Sequence, residues 1–276
     1  MNRLSLLVLI FLTFHYSVIS QEVKSSDYGS WDAYIAMYET GAGSTTLNMD
    51  LINKAPKKDL PFIVITGVTF SNCSDDGFPN KSEFDSLYNV SDNVQSTLSN
   101  LTKMELAGSF THQCERLDYI YVKDTTNIRT KLTKLYNSSY SNYKFYINIK
   151  LDQNWDAYLK FLYPNEETME YMQNQKVLEQ LLKHGDNLTK ARQVDHWIYF
   201  KNSDDRNAFA KKVIKDGFMV EGKEKLEDGD RPYQLHISRQ DKVDIESISK
   251  ITLSLRKMAS ELNGDYDGWE TFIVKE

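Results

Sequence analysis

The chain has 276 residues, 41% of them hydrophobic and 26% charged, a balance that suits a water-facing protein with one large or two small cores. Its net charge of −6 leaves no basic footprint for phosphate backbones, which argues against direct nucleic-acid binding. No glycine-rich phosphate loop, His-Glu-x-x-His, Cys-x-x-Cys or Gly-x-Ser-x-Gly elbow occurs, so no cofactor or metal is expected and the case for an enzyme is weak.

Residues 1–20 read as an export signal. Arg3 precedes an apolar run from Leu4 to Phe14, followed by a short tail, His15 to Ser20, with small or β-branched residues suited to a signal peptidase. Cleavage after Ser20 is expected, giving a secreted or periplasmic protein; a retained anchor is the alternative, disfavoured because the run is short of the ~20 residues a bilayer needs. No cysteine stands directly after the run, which argues against a lipoprotein.

Further along, Trp31 to Tyr38 and Thr45 to Leu51 flank Gly41-Ala42-Gly43 and predict a hairpin. Pro61 to Val68 reads as a strand, Ser82 to Leu98 as a helix, and Met104 to His112 with Leu117 to Val122 as a second hairpin. Asn127 to Tyr136 reads as a helix and Tyr143 to Leu151 as a strand, completing βαββαβ. The tetrapeptide Trp-Asp-Ala-Tyr recurs at Trp155, where it opens a helix rather than a strand, and is taken as coincidence. Met169, Met172, Leu178, Leu181 and Leu182 predict a helix over Glu166 to His184, ended by Gly185 and packed on the C-terminal unit.

The same order returns in the last third. Val194 to Phe200 reads as a strand, and Ser203-Asp204-Asp205 as the start of a helix that Gly217 stops. Phe218 to Leu226 and Tyr233 to Arg239 form a hairpin around Asp228-Gly229-Asp230, which a turn explains better than calcium, since the further ligands of an EF-hand loop are missing. Ile245, Ile248, Ile251, Leu255, Met258 and Leu262 mark a long amphipathic helix ending at Asn263-Gly264, and Trp269 to Val274 closes as a strand. The expected fold class is therefore α+β, two ferredoxin-like domains with an added hairpin on the first. The boundaries are 1–20 for the signal, 21–164 for the first domain, 165–185 for a connecting helix and 186–276 for the second domain.

Chemistry-bearing residues are few. Cys73 and Cys114 follow the first and second strands of the first unit, whose C-terminal ends share one sheet edge; they form a disulfide or remain two small hydrophobes. His196 and His236 fall on neighbouring strands and could approach each other, although a strand histidine is more often a packing residue. Trp197 and Tyr199 alternate onto one face, but the glycine and basic residues of a single-stranded RNA platform are missing around them, which favours core or partner-facing aromatics. His112, Arg116, Asp118 and Tyr119 cluster around the first domain's hairpin and would favour an enzyme if they met in a deep pocket.

The end of the chain, Asp265-Tyr266-Asp267-Gly268-Trp269-Glu270-Thr271-Phe272, together with Leu226 to Asp230 and Val194-Asp195-His196, resembles the bacterial regulator of ribonuclease activity B. The family-motif residues are His196, Asp228, Gly229, Asp230, Tyr266, Asp267, Gly268 and Trp269. Within the motif a fold role is favoured, with Gly268 allowing a bend or close approach and Trp269 anchoring the last strand. Trp31 through Pro164, with Asp76-Gly77-Phe78-Pro79 and Trp155 to Tyr163, is similar to a bacterial family of domains of unknown function, numbered 695, whose members occur joined to the regulator domain. The first resemblance implies a surface that binds and restrains an enzyme, ribonuclease E in that family; the second implies no activity. Because both resemblances point to a bacterium, the six Asn-x-Ser/Thr sequons (Asn72, Asn80, Asn89, Asn100, Asn137 and Asn187) are read as compositional.

The functional expectation is an exported, non-catalytic module that binds a protein partner through its sheet face and acidic loops. The alternatives are an extracytoplasmic enzyme with its site in the first domain, or a protein that keeps its signal and meets ribonuclease at the inner membrane face.

Overall fold

A computed structural model describes residues 30–275, so the expected export signal lies outside the described residues. The described residues build ten strands and five α-helices in the order β1 (Trp31–Tyr38), β2 (Gly41–Asn48), β3 (Phe62–Thr69), α1 (Phe84–Ser99), β4 (Met104–His112), β5 (Glu115–Val122), α2 (Ile128–Ser139), β6 (Lys144–Leu151), α3 (Glu166–Lys183), β7 (Arg192–Phe200), α4 (Ser203–Lys215), β8 (Met219–Lys225), β9 (Tyr233–Asp241), α5 (Ile245–Ser260) and β10 (Gly264–Thr271). They form two antiparallel sheets, ordered β1-β2-β4-β5-β3-β6 and β10-β7-β9-β8. Each sheet contains one βαββαβ unit, in which the third strand separates the first from the second and the fourth lies beside the first. The fold class is α+β.

The first sheet is covered on both faces, which explains the nearly continuous apolar run of β3. On one face Val64, Val68, Ile120 and Val122 pack under Leu87, Val94, Leu132 and Tyr136 of α1 and α2. On the other, Leu47, Ile63 and Tyr121 meet Trp155, Tyr158 and Leu162, the latter two on the π-helical segment Ala157–Leu162. The Tyr121 and Trp155 rings stack 3.8 Å apart, and the Trp155 indole N–H donates to the Leu60 carbonyl at 3.0 Å. The added hairpin turns at Glu39-Thr40 rather than at Gly41-Ala42-Gly43, which instead open β2.

The second sheet is packed on one face only. Ile198, Phe200, Leu235 and Ile237 lie beneath Phe209 and Val213 of α4 and Leu255 and Ala259 of α5. This one-sided burial is written into β7 as strict alternation of buried and half-buried residues. The α4 start is capped by Asn202, whose side chain accepts from the Asp205 N–H at 2.9 Å, one residue before the expected Ser203. Helix α3 packs on α5, where Glu170 accepts from Arg256 Nε at 2.6 Å.

The last strand begins at Gly264, five residues ahead of the expected Trp269. Gly264 is forced by close packing, because a Cβ there would lie 2.4 Å from the Phe200 ring. Gly268 answers a different demand: its φ is +149° at a bulge that shifts the register between Tyr266 and Gly268. A Cβ at Gly268 would meet nothing within 4 Å, so backbone conformation and not close approach selects this glycine.

Candidate functional site

The uncovered face of the second sheet is assembled by register. Alternation on β7 sends Gln193, Asp195, Trp197 and Tyr199 away from the helices. Pairing sets Trp197 opposite His236, Tyr199 opposite Gln234 and Asp265, and Asp195 opposite Glu270, while Gly222 and Glu224 of β8 flank His236 and Gln234.

Side chains on this face hold one another in place. His236 Nε2 pairs with Asp195 Oδ1 at 2.8 Å, and the imidazole lies flat on the Trp197 indole, ring centres 4.7 Å apart and 9° from parallel. Gln193 Nε2 donates to both Asp195 oxygens at 3.2 Å, Gln234 Nε2 donates to the Tyr199 hydroxyl at 2.8 Å, and the Ser238 hydroxyl donates to Glu221 Oε1 at 2.6 Å. Asp195, Glu221, Glu224, Asp265 and Glu270 therefore ring an aromatic centre. No lysine or arginine occupies a strand position on this face: Arg192, Lys223, Lys225 and Arg239 all fall on the helix-facing positions. The result is a negative surface with a flat, half-buried aromatic middle, the composition that suits a cationic segment.

His196 and His236 do not meet. His196 lies opposite Ile237 on the helix face and is fully buried, whereas His236 lies on the open face. A one-residue offset between neighbouring strands is enough to put them on opposite sides. His196 Nδ1 is 2.9 Å from the Tyr266 hydroxyl, so two family-motif residues form one buried pair. Burial, reinforced by the charges of Arg239 and His236, lowers the His196 pKa to about 3 and keeps the ring neutral.

The other motif residues are also placed. Trp269 donates its indole N–H to Asn174 Oδ1 of α3 at 2.7 Å, which anchors the last strand. Asp267 is the extra residue of the bulge. Asp228, Gly229 and Asp230 form the exposed β8–β9 turn, with Gly229 at φ +109°. No group of three or more His, Cys, Asp or Glu side chains among the described residues could hold a metal ion.

In the first domain Cys73 and Cys114 are disulfide-bonded, with Cα atoms 5.8 Å apart. The four residues that would favour an enzyme do not converge. Asp118 faces α1 and accepts from the Ser91 and Ser109 hydroxyls at 2.5 and 2.6 Å, fully enclosed, and burial raises its carboxyl pKa. Arg116 shares that side by register, whereas Tyr119 points to the opposite face and stacks on Phe161. His112 contacts the Thr40 hydroxyl and the Ala42 carbonyl, and joins Tyr119 only in an open hollow of about 310 Å³ that excludes Asp118 and Arg116.

The Asp195–His236 pair and the surrounding carboxylates escaped the sequence. Asp195 and His236 are 41 residues apart, and only strand register brings them together.

Comparison with known proteins divides the chain in the same place as its two sheets. Residues 29–163 match a family described as Family of unknown function (DUF695), and residues 172–271 match Regulator of ribonuclease activity B. A curated Regulator of ribonuclease activity B from Shewanella denitrificans is 27% identical over 107 residues, spanning 38% of this chain and 83% of that protein. One from Colwellia psychrerythraea is 27% identical over 112 residues, spanning 40% of this chain and 97% of that protein. A crystal structure of an unknown protein from Galdieria sulphuraria covers 77% of this chain and 99% of its own at 9% identity, with a TM-score of 0.22 that carries no weight for the fold. The second domain is thus similar to the regulator family, and the first to a family without an assigned activity.

Proposed function

We propose that this chain is a non-catalytic regulatory module that docks a basic segment of a partner protein on the open face of its second sheet. The observation that carries this reading is the charge sorting of that face: carboxylates at Asp195, Glu221, Glu224, Asp265 and Glu270, and no lysine or arginine at its strand positions, around Trp197 and His236. The relatives' name, regulator of ribonuclease activity, supports a domain that acts by binding an enzyme. The dispersal of His112, Arg116, Asp118 and Tyr119 over two faces of the first sheet weighs against the enzyme alternative.

The same proposal places the protein outside the cytoplasm. The apolar run near the N-terminus supports export, and so does the Cys73–Cys114 disulfide, a bond that persists in oxidising compartments. The partner is then an envelope or extracellular protein rather than a cytoplasmic ribonuclease. A chain that kept its signal would instead meet ribonuclease at the inner membrane face.

Affinity capture of the tagged chain against separate cytoplasmic and envelope lysates tests the proposal, run in parallel with an Asp195→Lys/Glu270→Lys variant. The expected result is an envelope protein retained by the wild type, released by salt and lost by the folded variant. Equal retention by the variant would remove the face from the account. Recovery of a ribonuclease from the cytoplasmic lysate, with the endogenous chain found there too, would overturn export.

A further inference from the structure

We propose that β1 is the contact through which two copies of this chain join, edge to edge and antiparallel, into one continuous sheet across a two-fold axis. Sheet edges present unpaired backbone groups, and proteins protect them with charges, prolines or bulges. Three of the four edges here are protected. Strand β6 carries Lys144 and Lys150, β8 carries Lys223 and Lys225 beside a bulge, and β10 carries a bulge and Glu270.

Strand β1 is the least guarded: α3 reaches only its first half, through Lys176 on Asp32 and the hollow beside Ile35. Among the described residues it pairs with β2 alone. It contains no lysine, proline or bulge, and its single charge, Asp32, is already paired with Lys176 of α3. Its outward stripe includes Ile35 and Met37, which are 66% and 77% exposed. The apolar stretch from Ala33 to Tyr38, exposed at every second residue, is a template for another strand.

The sequence of β1 complements itself in one register. A two-fold axis at Ile35 sets Ile35 against its own copy, Ala33 against Met37, Tyr34 against Ala36 and Asp32 against Tyr38. Met37 then faces Ala33 on one side of the sheet and Tyr34 faces Ala36 on the other, and no like charges oppose. Moving the axis to Tyr34 would set Tyr34 on its own copy, and moving it to Ala36 would set Tyr34 on Tyr38. Beside the strand, a hollow of about 310 Å³ lined by Ile35, Tyr171 and Met172 separates β1 from α3 and offers apolar space for the second copy's Met37.

Sedimentation equilibrium on the purified full chain decides the matter. A dimer at tens of micromolar is expected, with Ile35→Lys monomeric at an unchanged melting temperature. Ile214→Lys, at an exposed apolar position on α4, should remain dimeric. Under oxidation Ile35→Cys should cross-link to a covalent dimer, and Met37→Cys should not, because only position 35 meets itself. A monomeric wild type, as when residues ahead of Ser30 or a different protein take the edge, would overturn the proposal. So would equal loss of dimer in both lysine variants, or cross-linking of Met37→Cys as readily as Ile35→Cys.

Discussion

The Trp269 indole N–H donates to Oδ1 of Asn174 at 2.7 Å, and the amide nitrogen of the same Asn174 donates to Thr252 Oγ1 at 2.9 Å and to Ser249 Oγ at 3.1 Å. One buried side chain on α3 thereby ties the last strand to α5. The regulator-family match begins at residue 172, inside this helix, so α3 is joined to the second domain by chemistry as well as by packing. Asn174→Leu would take the acceptor from the indole N–H and the donor from the Ser249 and Thr252 hydroxyls at once. Buried groups left without partners cost about 1–3 kcal/mol each. Chemical denaturation of Asn174→Leu, Trp269→Phe and the double variant should give a destabilised Asn174→Leu and a clearly non-additive cycle; additivity would mean that the bond contributes nothing.

Two buried groups make stability fall with acid in separate windows. His196 titrates near 6.5 when unfolded and about 3 in the fold, so as pH drops from 6.5 toward 3 the unfolded chain takes a proton that the native chain refuses. Asp186 is held down to about 2 by hydrogen bonding to Arg192, against 3.8 when unfolded. Its contribution is complete above the unfolded value and is lost as pH falls through about 2. Denaturation midpoints measured from pH 7 to pH 4 should decline for the wild type and flatten for His196→Gln. An Asp186→Asn variant should keep the decline between pH 7 and 4 and lose the further drop below it.

The Cys73–Cys114 bond spans 41 residues of sequence and joins the loop after β3 to the β4–β5 turn, where the Cys114 N–H also donates to the Gly77 carbonyl at 2.8 Å. Closing a loop of this size restricts the unfolded chain by about 3–4 kcal/mol in the chain-entropy account. Thermal melts of the protein with and without reductant, and of the Cys73→Ser/Cys114→Ser variant, should show equivalent losses of that order. A reductant-insensitive melt would mean that the thiols are free in solution.

Patterns along one element were legible in the sequence, and relations between elements were not. The α5 helix was visible because Ile248 and Leu255 repeat on one face, and β7 because Val194, Trp197, Ile198, Tyr199 and Phe200 are strand formers. The start of β10 was hidden because Gly264 and Gly268 read as breakers. One is instead demanded by the Phe200 ring and the other by a bulge. His196 and His236 sat on neighbouring strands in the sequence, yet which face each would take depends on register, a quantity fixed by the whole sheet. The acidic face was invisible for the same reason, since its carboxylates come from strands whose order in space differs from their order in the chain.

Gly264 and Gly229 separate a packing glycine from a turn glycine. At Gly264 an added methyl would lie 2.4 and 2.7 Å from carbons of the Phe200 ring, in the core beneath α4 and α5. Overpacking of this kind costs about 1–3 kcal/mol, and relief requires β10 to move away from β7. At Gly229 the space is open, and the cost of a side chain is confined to its φ of +109°. Gly264→Ala should therefore lower stability and also loosen β10, seen as faster hydrogen exchange at the amides paired between Tyr266 and Ile198. Gly229→Ala should lower stability without changing exchange in β10. The same slow exchange in both variants would show that the Phe200 ring yields, and that close packing is not what holds glycine at position 264.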